Sequence, residues 1–290
     1  MRILHETDIL FFVKYFNFDS SKMNLLQVII LSILEGLTEF LPISSTAHII
    51  IAQKLMGLTE VNEFFTVIIQ FGALLAAILF FQNRIISILK TSLENLKTRN
   101  LKNDFGFKLL IGIIPTLVLA FIFKDKLAQL QNSLWVIAIS SMLFGFVFYG
   151  IEKVCLTAKS NNTQQKSSFV NLLIMGIAQG LSIIPGVSRS GVTVASGLTQ
   201  EFDFKGSIEI SFLMGIPVML VATIYEIYKS MHSFTPAIIT NTAIGMGFAF
   251  ITGWLGIRIA LGLLKKKGFL PFLIYRILFG IFVIALIYSL

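Results

Sequence analysis

The sequence predicts an all-α polytopic membrane protein built as an inverted-topology repeat, with six transmembrane helices and two re-entrant helix–loop–helix hairpins. Three observations predict it. The 290 residues are 56% hydrophobic and only 13% charged, about half the charge of a soluble domain, and mean hydropathy is +0.85. Six stretches are apolar over the thickness of a bilayer, and two more are broken midway by Pro, Gly, Ser and Thr. Those two broken segments also match one another. A water-soluble domain and a disordered chain are excluded.

Residues 1–22 read as an N-terminal extension, interrupted by His5, Glu6, Asp8 and Lys14. They lack the small residues of a signal-peptide cleavage site, which leaves an interfacial helix or a segment without function. A single membrane domain follows over 23–290, with repeat one at about 25–151 and repeat two at about 170–290. The spans fall at 64–81, 105–123, 134–151, 207–226, 236–263 and 269–290, each long enough to cross as a helix.

The broken segments are 25–57 and 170–198, which carry LEGLTEFLPISSTAH (34–48) and AQGLSIIPGVSRSGVT (178–193). Each half is about 10 to 13 residues, too short to span. Broken backbone at membrane depth must line a polar cavity, so each segment predicts a hairpin that enters and returns. A shift of 144 residues pairs Glu35 with Gln179, Gly36-Leu37 with Gly180-Leu181, Thr38 with Ser182 and Ser44 with Ser188. One hairpin and three spans per repeat require the second repeat to be inverted.

Charge fits that topology. The chain has 23 basic and 15 acidic residues, net +8. The basic ones gather in 82–104 (Arg84, Lys90, Lys97, Arg99, Lys102), in 152–168 (Lys153, Lys159, Lys166) and at Lys265, Lys266 and Lys267. These loops share one side, which the positive-inside rule makes cytoplasmic, so no nucleic-acid partner is implied. The opposite loops hold little beyond Lys124, Lys126 and Lys229. Segment 84–97 reads as a basic amphipathic helix on the inner surface. Cys155, the single cysteine, falls in the polar loop after the third span and has no intrachain partner.

Glu35 and Glu39 stand four apart on the inbound helix of the first hairpin, on one face. Carboxylates inside apolar segments are costly and functional by default. Pro42 ends that helix, and Ser44-Ser45-Thr46 caps the returning one, whose start is an anion site. His48 shares a face with Ser45. The second tip repeats the design with Pro185-Gly186, Ser188, Ser190, Gly191 and a fixed cation, Arg189, whose planar fork suits phosphate oxygens. Arg258 and Arg276 read as snorkelling residues near span ends. Gln70 and Pro217 read as packing, polar-pairing or kink features.

LEGLTEFLPISSTAH and PGVSRSGVT resemble the two signature motifs of the undecaprenyl-diphosphate phosphatase family of bacterial membranes, the bacitracin-resistance type, and the likeness extends from about Met23 to Leu290. The resemblance implies hydrolysis of undecaprenyl diphosphate to undecaprenyl phosphate and free phosphate in the bacterial cytoplasmic (inner) membrane. That step recycles the lipid carrier of cell-wall synthesis and limits the target of bacitracin. It implies an acidic pair at Glu35 and Glu39, a Ser-Ser-Thr-x-His element at Ser44, Ser45, Thr46 and His48, and an arginine element at Ser188, Arg189, Ser190 and Thr193. Ala47 stands where the family usually has Gly.

Chemistry and resemblance converge on a diphosphate between the hairpin tips, its polyprenyl tail in lipid, in a site opening to the outer (periplasmic) side. Arg189, the hydroxyls and the helix starts stabilise the transferred phosphoryl group. A divalent cation, Mg²⁺ or Ca²⁺, bridging Glu35 or Glu39 to phosphate is expected. Either Ser45 attacks with His48 as base, or His48 itself becomes phosphorylated. The partners implied are the polyprenyl diphosphate and membrane lipids; a homo-oligomer stays open. A flippase or transporter for a phosphorylated polyprenyl lipid would use the same architecture and is the alternative. Membrane acid phosphatases need two spaced histidines, and a serine protease gives no reason for Arg189 or the paired glutamates.

Overall fold

A computed structural model describes residues 23–58, 63–131, 133–158, 168–230 and 236–289; residues 1–22, with the extension they form, lie outside it. Among the described residues every regular element is a helix. Helix α1 (Leu25–Glu39) opens on a capping box, in which the Gln27 amide donates to Asn24 at 2.8 Å and the Asn24 amide to Gln27 at 2.9 Å. These bonds satisfy donors that a helix start leaves orphaned. The turn at 40–44 leads into α2 (Ser45–Leu55). Helix α3 (Glu63–Phe80) meets α4 (Gln82–Lys97) at a 73° bend.

Asp104 caps α5 (Phe105–Gly112), accepting from the Phe107 amide at 2.6 Å, from Ser92 at 2.8 Å and from Asn95 at 2.9 Å. Burial pushes the Asp104 carboxyl up, but the bonds from Asn95, Phe107 and Ser92, with Lys108 nearby, outweigh it and hold the group below its ordinary value. Helix α6 (Ile114–Gln131) continues α5 after a break at Ile113, where Pro115 brings no amide to the ladder. Then come α7 (Leu134–Ala158), α8 (Phe169–Gly180), α9 (Arg189–Thr199), α10 (Phe204–Ser230), α11 (Pro236–Lys267) and α12 (Leu270–Ser289).

Five segments are long and apolar enough to cross a membrane: Phe105–Phe123, Leu134–Cys155, Phe204–Lys229, Thr240–Lys267 and Leu270–Ser289. A sixth is reached when α3 is counted with its bent neighbour α4. Several helices outrun their sequence-based limits, α7 and α11 among them. Helix α7 continues past 151 to Ala158, so Cys155 lies on a helix and not in a loop. Residue Glu152 explains the extension: it is buried and accepts the Phe269 amide at 2.6 Å, tying α7 to the start of α12. Helix α11 carries Lys265, Lys266 and Lys267 in its last turn, where cations offset the helix dipole.

The pairings place the two broken segments at the centre. Helix α11 packs on α3 and α1, α12 on α7, α10 on α9 and α3, and α8 on α5 and α6. One core cluster joins both broken segments: Phe40 and Ile43 of the first, Val187 and Val192 of the second, with Phe148 and Phe212 between spans. Between helices in lipid such a core is held by van der Waals packing and not by removal from water. The turns above this core are thereby held against each other.

Candidate active site

The two turns have the same build. Ser44 precedes α2 with φ 71°, and its hydroxyl accepts the Ala47 amide at 3.4 Å. Ser188 precedes α9 with φ 76° and accepts the Gly191 amide at 3.3 Å. Positive φ is uncommon for a residue with a side chain, and here it turns the cap hydroxyl inward. The turns also touch: the Gly186 amide donates to the Ser44 hydroxyl at 3.2 Å, and the Ser188 and Ser190 hydroxyls donate to the Leu41 carbonyl at 3.4 and 3.2 Å. Gly191 is required at this contact, because a Cβ there would meet the Phe148 ring and Pro42.

A cavity of about 160 Å³ opens where they meet, lined by Glu39, Ser44, Ser45, Thr46, Gln70, Ser182, Ser188, Arg189, Val218, Met219 and Ala222. That is the space of about five waters, enough for a phosphoryl group. At its floor the Ser45 hydroxyl donates to Glu39 Oε2, and Arg189 Nη2 donates to Glu39 Oε1 at 2.9 Å. The pair is largely buried. Gly215 on α10 lies flat against the Arg189 guanidinium, in space that a Cβ would take. A buried ion pair is weak evidence for stability, and its place in a cleft marks a functional-site candidate.

Of the residues singled out from sequence, Glu39, Ser44, Ser45, Thr46, Ser188 and Arg189 share this cavity. Glu35 is buried one turn back, its carboxyl against that of Glu39. Two carboxylates so placed share either a proton or a cation. Paired carboxylate oxygens are the donor type that a hard divalent cation takes. Among the described residues no third His, Cys, Asp or Glu joins them. Ser190 and Thr193 stand behind the wall: Thr193 donates to the Arg189 carbonyl at 2.8 Å and to Gln179 at 3.4 Å.

His48 does not meet Ser45. Its Nδ1 bonds the Ser44 carbonyl at 2.7 Å, its Nε2 bonds the Tyr275 hydroxyl at 2.7 Å, and Phe279 stacks on the ring at 4.2 Å. Both nitrogens are thus occupied on the side away from the cavity.

Residues 28–282 match the family model described as bacitracin resistance protein BacA. The chain belongs to the BacA family. Curated relatives agree over nearly the full length. An undecaprenyl-diphosphatase of Bdellovibrio bacteriovorus is 34% identical over 273 residues, covering 92% of this chain and 97% of the relative. One from a Sulfurovum species is 37% identical over 270 residues, covering 91% and 100%. One from Cutibacterium acnes is 35% identical over 283 residues, covering 92% and 98%.

In this BacA-family chain two polar residues of the spans are not what their sequence position suggests. Gln70 lines the cavity instead of serving packing alone. Arg276 does not snorkel: it is 0% exposed. Its guanidinium donates to Ser141 at 2.7 Å, Pro42 at 2.9 Å, Val187 at 3.2 Å and Ser140 at 3.4 Å, and also to Gly186, all at backbone carbonyls. It therefore clasps both turns and α7 at once. A charge within an apolar span was the available signal; nearness to a span end argued it away. Arg258, by contrast, is exposed beside the Trp254 ring.

Proposed function

We propose that this chain hydrolyses undecaprenyl diphosphate to undecaprenyl phosphate and inorganic phosphate, recycling the carrier lipid of cell-wall synthesis and withdrawing the target of bacitracin. The observation that carries the reading is one cavity holding a hydroxyl on a carboxylate, with an arginine on the same carboxylate. Ser45 Oγ attacks the terminal phosphorus as Glu39 takes its proton, and the bond to the bridging oxygen breaks to release the polyprenyl phosphate. Glu39 passes that proton to the departing polyprenyl phosphate. Water then attacks the phosphoserine phosphorus as Glu39 takes its proton and returns it to Ser45 Oγ, releasing inorganic phosphate.

Arg189 gives this sequence its timing. A bound diphosphate competes for the guanidinium, and as Arg189 turns to the phosphate oxygens Glu39 Oε1 gives up its partner while Oε2 keeps the Ser45 hydroxyl. The helix starts at Ser45 and Arg189, with Ser44, Thr46 and Ser188, receive the remaining charge. Glu35 and Glu39 would hold a divalent cation, which when bound supplies Lewis-acid charge neutralisation. His48, Ser190 and Thr193 support the cavity from behind.

In this proposal the two broken segments are re-entrant hairpins of an inverted repeat in the bacterial inner membrane, opening outward. Support comes from register: α1 and α8 start, and α2 and α9 start and end, 144 residues apart, the shift that aligns their motifs. The helix pairs α3 with α10 and α7 with α12, which hold corresponding places in the two halves of the chain, also pack on each other. The wall of Val218, Met219 and Ala222 gives the tail an apolar exit. Purified protein in detergent is expected to release phosphate from undecaprenyl diphosphate, and Ser45→Ala and Arg189→Ala to abolish release. Lipid movement without phosphate release would instead mark a flippase.

A further inference from the structure

We infer that Tyr275, on α12 and outside both motifs, is a positioning residue of this site, acting through His48 on the first turn. A carbonyl oxygen only accepts, so the contact from His48 Nδ1 to the Ser44 carbonyl requires the proton on Nδ1. Nε2 is then the acceptor, and the Tyr275 hydroxyl donates to it at 2.7 Å. The tyrosine hydroxyl thereby selects one tautomer and one ring orientation.

The ring has no other freedom. It is 7% exposed and lies stacked with Phe279 at 4.2 Å and with Tyr275 at 5.6 Å. Tyr275 is itself 42% exposed on the outer face of α12, so its ring faces the surroundings while its hydroxyl reaches inward.

The two turns explain why such a prop is needed at one and not the other. At the second turn the Ser188 carbonyl receives the Val192 amide at 3.0 Å. At the first, the equivalent amide, that of His48, reaches the Ser44 carbonyl only at 3.4 Å. The imidazole bond at 2.7 Å makes up for it, and Val192 stands where the repeat would place a second histidine. Ser44 has positive φ, receives the Gly186 amide and adjoins Ser45. Its placement sets where the attacking hydroxyl sits. Tyr275, His48 and Ser44 form one chain from the outer face of α12 to the nucleophile.

This inference rests on the phosphatase reading for its kinetic arm and not for its spectroscopic one. In protein carrying His5→Gln and His232→Gln, ¹⁵N-histidine NMR reports His48 alone. The expected spectrum has Nδ1 protonated and Nε2 accepting, and Tyr275→Phe gives a mixture of tautomers. Tyr275→Phe is expected to lower kcat about tenfold with KM nearly unchanged, as a displaced nucleophile does. His48→Asn, whose amide reaches the Ser44 carbonyl but not Tyr275, keeps more activity than His48→Ala. Adding Tyr275→Phe to His48→Asn then costs nothing further.

An Nε2-protonated His48, full kcat in Tyr275→Phe, or an equal loss in the His48→Asn background overturns the inference. Absence of phosphate release from the wild type defeats the phosphatase reading instead, and leaves the tautomer result standing by itself.

Discussion

Ser45 and Arg189 hold opposite oxygens of one carboxylate: the hydroxyl donates to Glu39 Oε2 and the guanidinium to Oε1, the latter at 2.9 Å. The two motifs, 144 residues apart in register, thus meet at a single acid. In the proposed mechanism this junction brings together a nucleophile, a base and a phosphate-binding cation that neither motif supplies alone.

Arg189→Lys keeps the charge and loses the planar fork that fits phosphate oxygens. The expected fall in kcat/KM is about 10²–10³-fold, the loss of one preorganised donor to the transition state. Phosphate-release kinetics on the purified protein check it, and a loss under threefold would contradict it.

Gly215→Ala introduces a methyl where the Arg189 guanidinium lies. The arginine must turn away from Glu39, so kcat/KM is expected to drop about 10-fold or more. The thermal midpoint should change little, since the flexible end of a side chain yields and no backbone does. Kinetics and thermal unfolding measured side by side separate the two effects.

Arg276→Met leaves the carbonyls of Pro42, Ser140, Ser141, Gly186 and Val187 without their shared donor. The helix ladder of α7 still serves the Ser140 and Ser141 carbonyls, but those of Pro42, Gly186 and Val187 lose this donor, and a buried orphaned acceptor costs about 1–3 kcal/mol. The variant is expected to be both inactive and markedly less heat-stable. A stable, active Arg276→Met would show that the turns keep their places unaided.

Asp104 links stability to acid. Its carboxyl is held below its ordinary value of 3.8, so its contribution is present above that value and is lost as pH falls through the lower folded one. Asp104→Asn is therefore expected to flatten the decline of the thermal midpoint at acid pH while lowering it near neutrality. The helix cap itself is worth about 1 kcal/mol. Thermal scans across acid pH test this.

The breaks in segments 25–57 and 170–198, most spans and the cavity-facing motif residues were legible because each rests on local chemistry. Pro42 and Pro185 stop helices, Ser44 and Ser188 cap them, and apolar runs have bilayer length. Three-dimensional partnership was not legible. His48 shares a helical face with Ser45 on paper, yet a tyrosine 227 residues away claims its free nitrogen. Arg276 lies near a span end by count, but five carbonyls from three elements surround it. Gln70 and Gly215 carry no motif, and only the folding of α3 and α10 around the turns brings them to the site.

The central claim is that Ser45 is the nucleophile. A single turnover of undecaprenyl diphosphate labelled in its terminal phosphate, quenched in acid and in alkali, tests it most directly. The account predicts label on Ser45 that survives acid and is lost in alkali, and no label in Ser45→Ala. Label that is lost in acid and survives alkali, a phosphohistidine at His48, would contradict it.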